Sequence, residues 1–69
     1  MKHPFEDKSN SEIIELINEY IHSERDRDLL VDRYTNGYTF ERIGELHDLS
    51  TIQVKRIIYK HSENLIQHI

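Results

Sequence analysis

Three basic side chains lie close together in the last third of the chain, in the stretch "STIQVKRIIYK". They are Lys55, Arg56 and Lys60, and no acidic residue falls within residues 49–61. Lys and Arg bind phosphate, Arg also pairs with guanine, and an amide such as Gln53 pairs with adenine. The segment therefore offers hydrogen bonding to a nucleic acid, and the plain alternative is an ordinary solvated helix face.

A set of polar and apolar residues is expected to face DNA. Residues near the start of a reading helix meet base edges, and Thr or Ile side chains contact a thymine methyl group. Other cations, and a helix N-terminus with unpaired backbone N–H groups, meet phosphate oxygens. The predicted DNA-binding residues are Thr39, Arg42, Thr51, Ile52, Gln53, Lys55, Arg56 and Lys60, with His61 as a further phosphate contact.

The charge of the whole chain argues in the other direction. The 69 residues carry nine Lys or Arg and 13 Asp or Glu, a formal net charge of -4. Residues 1–36 hold five basic and nine acidic side chains, whereas residues 37–69 hold four of each. Because the acidic half is separate from the basic segment, the charge weakens the nucleic-acid interpretation without excluding it.

The length and composition indicate one small domain. A chain of this length buries about 60% of the surface that its unfolded form exposes, so support from a second copy is expected. Cysteine is absent, no two histidines lie three or four residues apart, and no Gly-rich phosphate loop or catalytic triad is present. We therefore expect no metal, no cofactor and no enzymatic activity. We also expect no signal peptide, because no apolar run follows the first charged residues, and no membrane span, because no run of about 20 apolar residues is present.

Four helices are predicted from the apolar spacing and the capping residues. Ser9 and Ser50 each precede a Glu or Gln by three residues, which is the capping-box pattern. Such a box at Ser50 would engage the Gln53 side chain instead of leaving it to read a base. Ser23 and Thr39 are expected to cap the other two helices. The predicted all-α, four-helix domain covers residues 10–69, with helices at 10–22, 24–36, 40–47 and 51–67 after a flexible arm at 1–9.

The last two predicted helices form a helix-turn-helix, in which two short helices are joined by a tight turn. Gly44 supplies the small residue that lets the two helices approach closely. Asp48 tolerates the left-handed backbone that the turn needs. Leu49 fills the core after the turn, and Val54 and Ile57 supply the inner face of the second helix.

The segment "RDLLVDRYTNGYTFERIGELHDLSTIQVKRIIYKHSENL" resembles region 4 of the bacterial sigma factors. It is also similar to small sigma-region-4-like proteins of bacteriophages and prophages of low-GC Gram-positive bacteria. The matching features are "DRY.NGYTFERIGE", the Leu49–Ser50 turn, "VKRI" and the trailing helix, and the likeness spans Arg25 to Ile69. Asp48 departs from the family's usual turn glycine.

This resemblance implies a double-stranded DNA-binding module that reads the major groove with the helix starting at Ser50. It implies a phage-linked transcription regulator in the cytoplasm of a bacterial host. It also implies a protein that is not a complete sigma factor, because no region that grips the polymerase core is present.

Apolar residues at the two ends of the chain exceed what a minimal three-helix core needs. They either pack on each other within one chain or form a homodimer interface. In a dimer, two reading helices lie about 34 Å apart, one turn of DNA. The predicted interface residues are Ile13, Ile17, Tyr20, Ile21, Leu65, Ile66 and Ile69.

An alternative function uses the acidic half of the chain. The stretch "EYIHSERDRDLLVD" is a solvated face held by charge pairs, or it binds a basic protein. In the second case the protein is an acidic phage-encoded inhibitor, anti-CRISPR-like or directed at host RNA polymerase, that uses its helical fold for a protein partner. A regulator needs Lys55 and Arg56, whereas an acidic inhibitor needs Glu12, Glu15, Glu19 and Asp26.

Overall fold

The computed structural model describes residues 5–68, which form four α-helices. These helices are α1 (Asn10–Tyr20), α2 (Glu24–Tyr34), α3 (Phe40–His47) and α4 (Thr51–Ile66). The described residues contain no β-strand, so the predicted all-α, four-helix fold is confirmed. Both α1 and α2 end two residues earlier than predicted. At the end of α1, Ile21 adopts an extended backbone and its side chain turns into the core.

The four predicted capping residues all act as caps. Ser9 and Ser50 form complete capping boxes with the residues three positions later. The Ser23 and Thr39 side chains accept hydrogen bonds from the third backbone N–H of their helices. These caps satisfy N–H groups that have no partner within the helix, which fixes where each helix begins.

The core is one cluster of apolar side chains to which every helix contributes. Val54 and Ile58 of α4 pack with residues of the three preceding helices, so the core holds the inner face of the helix-turn-helix in place. The buried apolar residues are Phe5, Ile13, Ile17, Ile21, Leu29, Leu30, Ile43, Val54, Ile58 and Leu65.

Phe5 lies in the segment that is predicted to be a flexible arm. Its ring is 1% exposed and meets the ring of Tyr34 edge-on, with 5.1 Å between the ring centroids. This part of the predicted arm therefore packs on the domain. Residues 1–4 of the arm lie outside the described residues.

Most of the predicted dimer interface is used within one chain. Ile13, Ile17, Ile21 and Leu65 are buried in the core, where α1 and α4 meet. Two predicted residues remain on the surface, with Tyr20 36% and Ile66 45% exposed. Ile69 lies outside the described residues.

Two histidine–aspartate pairs connect α2 to the helix-turn-helix. The Asp26 carboxylate of α2 lies 2.8 Å from Nε2 of His61 in α4, and the Asp32 carboxylate lies 3.0 Å from Nε2 of His47 in α3. A third polar contact joins the hydroxyl groups of Tyr34 and Ser62 at 2.7 Å. These bonds fix the orientation of α3 and α4 against α2.

The Asp26 pair predicts a pH dependence of stability. Burial acts to raise the pKa of Asp26, but hydrogen bonds from His61 and Arg25 together hold this pKa below its ordinary value of 3.8. A carboxyl group whose pKa is lower in the folded state stabilises the fold above its unfolded pKa. That contribution is lost as the pH falls through the folded pKa.

We therefore expect Asp26→Asn to be less stable than the wild type at neutral pH by about 1.5–3 kcal/mol, the value of a hydrogen bond to a charged group. The difference should shrink as the pH falls below 3.8, the ordinary pKa of this carboxyl group. Urea unfolding across the pH range measures this difference. Asp28→Asn, an exposed position on the same helix, is the matched control. An equal loss in both variants at neutral pH would contradict the assignment.

Asp48 makes a second prediction about stability. It is the only non-glycine residue with a positive φ in the described chain, at φ 56° and ψ 47°. A left-handed backbone costs an L-residue about 1–2 kcal/mol, and glycine avoids this strain. Glycine loses more conformational entropy on folding, which offsets about 0.5–1 kcal/mol of that gain. Asp48→Gly is therefore expected to stabilise the fold by about 0.5–1 kcal/mol. Thermal and urea unfolding measure this gain. A lower stability of Asp48→Gly would show that the aspartate side chain makes a compensating contact.

Candidate nucleic-acid interface

The turn between α3 and α4 sets the angle at which α4 leaves the domain. The left-handed Asp48 reverses the chain, and the Gly44 carbonyl accepts hydrogen bonds from the N–H groups of Asp48 and Leu49. Leu49 then packs against the core, and Ser50 caps the next helix. This arrangement is the predicted helix-turn-helix.

One face of α4 is buried and the opposite face is open. Val54 and Ile58 point into the core. Ile52, Arg56 and Lys60 follow each other at intervals of four, so they share one face of the helix, and all three are exposed. The structure therefore brings together three of the predicted DNA-binding residues on a single outward surface, which we call the reading face.

The Gln53 side chain is exposed but engaged. Its Oε1 accepts hydrogen bonds from the Ser50 backbone N–H at 3.0 Å and from the Ser50 hydroxyl at 3.2 Å. The predicted capping box is therefore formed, and it occupies the side-chain oxygen of Gln53 that would otherwise contact a base. Thr51, the first residue of α4, is half-buried, so it presents less surface than the residues of the reading face.

The remaining predicted contacts lie around the start of α3. Thr39 and Arg42 are both exposed, and the Thr39 hydroxyl accepts a hydrogen bond from the Arg42 N–H. His61 is placed differently, because its side chain is 20% exposed and pairs with Asp26. That ring is therefore engaged inside the domain, and the predicted phosphate contact at His61 is not supported.

A cluster of cations and aromatic rings at the start of α3 was not predicted from the sequence. The Arg33 guanidinium lies 4.1 Å from the centre of the Phe40 ring, and Lys55 Nζ lies 5.7 Å from it. The Tyr59 ring meets Phe40 edge-on. These residues come from α2, α3 and α4, so no spacing within one helix reveals the cluster. It places two positive charges beside the N-terminus of α3.

The segment from the cap of α2 to the middle of α4 is similar to a known protein family. Residues 23–60, more than half of the chain, match the family model described as sigma-70, region 4. The chain belongs to the sigma-70 region 4 family. No curated protein and no solved structure matches it significantly. Sigma-70 region 4 is a DNA-binding helix-turn-helix domain, so the predicted fold and the DNA-binding class of the helix-turn-helix are confirmed.

The sigma-70 region 4 match covers the elements that build the reading face. It begins at Ser23, the cap of α2, and ends at Lys60 in α4. Helix α1 and the last turns of α4 lie outside the match, although both contribute buried side chains to the same core. In this chain the region 4 domain is therefore packed against an additional N-terminal helix.

The charges of the helix-turn-helix differ between its two helices. Helix α3 and the turn carry three exposed acids, Glu41, Glu45 and Asp48, and one exposed cation, Arg42. Helix α4 carries three cations and a single acid, Glu63, in its second half. The first half of α4, residues 51–58, therefore carries two cations and no acid, although the whole chain is acidic.

Among residues 5–68, no three His, Cys, Asp or Glu side chains lie close enough together to hold a metal ion. None of the helices within this range combines the length and the apolar character needed to cross a membrane.

Proposed function

We propose that the protein is a sequence-specific DNA-binding regulator of transcription, of phage or prophage type. It docks the first half of α4 in the major groove of double-stranded DNA. The observation that carries this proposal is the reading face: Ile52, Arg56 and Lys60 stand exposed on the helix that a region 4 turn positions. A helix-turn-helix presents the start of its second helix to base edges in this way.

The residues around the reading face divide into base contacts and phosphate contacts. Arg56 is long enough and suitably charged to form two hydrogen bonds with guanine. Lys60, one turn further from the start of α4, and Arg42 on α3 meet the DNA backbone. Lys55 and Arg33, beside the N-terminus of α3, add positive charge where its backbone N–H groups attract a phosphate.

Selection from a random duplex DNA library, at near-physiological salt, tests this function. The wild type is expected to enrich one motif, and the Lys55→Ala/Arg56→Ala double variant is expected to lose it. Both side chains are exposed, so the double variant is expected to fold like the wild type, and far-UV circular dichroism checks this. Equal enrichment by both proteins, or no enrichment by the folded wild type, would contradict the proposal.

We further propose that the regulator binds DNA as a homodimer. Four of the six described residues predicted for the interface are buried within one chain, and the Tyr20 ring stacks on His68 of the same chain. The contact between copies therefore uses Ile66 and the part of Tyr20 that stays exposed. The enriched motif of a dimer is expected to be palindromic, with half-sites about 34 Å apart. Sedimentation of wild type and of Tyr20→Ala/Ile66→Ala tests the state directly. A monomer at concentrations that bind DNA would exclude it.

A second candidate function is binding to a basic surface of a host protein, such as a nuclease or RNA polymerase. The observation that favours it lies on α1, where Glu12, Glu15 and Glu19 line one shallow groove. Asp26 is not part of this surface, because it pairs with Arg25 and His61. Replacing Glu15 and Glu19 by Gln should abolish inhibition of such a target and leave DNA binding intact if this candidate is correct.

A further inference from the structure

We infer that the start of α4 recognises a thymine through its methyl group with Ile52, and rejects cytosine at a neighbouring position with Gln53. The inference rests on the proposed DNA-binding function and names the base-edge chemistry that this surface selects. The exposure of Ile52 and the hydrogen bonds of Gln53 carry it.

Ile52 is an apolar group placed where base edges are read. It is 70% exposed, more than any other large apolar side chain in the described part of the chain. It is the second residue of α4 and lies one turn before Arg56 on the reading face. Its β-branched side chain has few conformations and no polar atom. The C5-methyl group of thymine is the apolar feature of the major groove, so it is the matching partner.

Gln53 is restricted by its own capping box. An amide oxygen has two lone pairs, and both are filled by the Ser50 backbone N–H and the Ser50 hydroxyl. Because the backbone N–H is a donor, the atom that faces it must be the amide oxygen. The amide nitrogen is therefore the group that Gln53 offers to DNA, and it is purely a donor.

This restriction changes which bases Gln53 accepts. A two-bond contact to adenine needs an oxygen for the N6 amino group, and the capping box uses that oxygen. The remaining N–H groups match acceptors, which are N7 and O6 of guanine, N7 of adenine and O4 of thymine. Cytosine presents an amino donor at the corresponding edge. Two donors face each other there, so cytosine is rejected.

The first test removes a single methyl group from the DNA. In the duplex that the selection enriches, each thymine is replaced in turn by deoxyuridine, and the dissociation constant is measured by fluorescence anisotropy. At one thymine per half-site, binding is expected to weaken about three- to fivefold, as for the loss of one buried methyl group. Ile52→Ala is expected to bind the thymine and deoxyuridine duplexes equally, because the contact is already absent.

The second test changes the donor of Gln53 into an acceptor. In Gln53→Glu, one carboxylate oxygen replaces Oε1 and keeps the capping box, so the thermal midpoint is expected to stay near that of the wild type. The other oxygen accepts from the cytosine amino group. A repeated selection with this variant is therefore expected to place cytosine at one position of the motif where the wild type excludes it.

The outcomes separate this inference from the proposed function. If the protein enriches a specific DNA motif but no thymine in it can be replaced by deoxyuridine with a loss of binding, the inference is overturned and DNA binding stands. An unchanged motif for Gln53→Glu, or a methyl response that persists in Ile52→Ala, would also overturn the inference. Failure of the folded wild type to enrich any motif would overturn both.

Discussion

Replacing Gly44 by Ala is expected to destabilise the fold by about 3 kcal/mol, at the upper end of the cost of adding a methyl group to a packed site. A Cβ atom at this position would lie 2.6 Å from the Leu49 carbonyl oxygen. That oxygen belongs to the backbone of the turn, so it cannot move aside as a flexible side chain does. The turn must shift, and α4 shifts with it.

The expected sign is opposite to the intrinsic preference of the helix. Alanine favours a helix over glycine by about 1 kcal/mol, so Gly44→Ala at an open position would stabilise α3. A domain of this size has a total stability of about 3–10 kcal/mol, so the expected loss is a large part of it. Far-UV circular dichroism during urea unfolding measures the change in free energy.

Gly37→Ala is the control for Gly44→Ala. Gly37 has a positive φ of 71°, but no neighbouring atom lies within 4 Å of the place that an added Cβ atom would occupy, so its substitution meets backbone strain without a collision. We expect it to cost about 1 kcal/mol, the penalty for a left-handed alanine. A Gly44→Ala variant as stable as the wild type would mean that the turn is not held as closely as the structure shows.

The second large effect concerns Arg56 on the reading face. Arg56→Ala is expected to weaken binding to the preferred duplex by about 1–3 kcal/mol, the value of one paired contact to a base. Binding to duplexes altered at that one base pair should weaken less. The variant therefore loses discrimination at a single position, because the removed hydrogen bonds were specific to one base.

Lys60→Ala is the matched comparison, since Lys60 is also exposed and lies one turn further along the same face. It should weaken binding to all duplexes about equally and reduce the slope of log affinity against log salt by about 0.9, the effect of one phosphate contact. Fluorescence anisotropy with a panel of single-substitution duplexes at several salt concentrations separates the two patterns. Identical patterns for the two variants would contradict the division of roles.

The sequence alone determined the local structure of this protein. The capping residues and the apolar spacing predicted four helices, and the starts of all four agree with the structure. Gly44 and Asp48 marked the turn, because the closeness of a helix crossing and a left-handed backbone each restrict which residue fits. These signals are local, so they can be read from neighbours along the chain.

The tertiary structure decided which side chains remain exposed for contact with DNA or with another protein chain. His61 looked like a phosphate contact until its pairing with Asp26 placed it inside the domain. The sequence left Ile13, Ile17 and Leu65 either to pack within one chain or to contact a second copy, and the fold buries them within one chain. The cluster around Phe40 joins residues of three helices. Availability depends on contacts between residues far apart in sequence, and helical periodicity does not encode which distant face each residue meets.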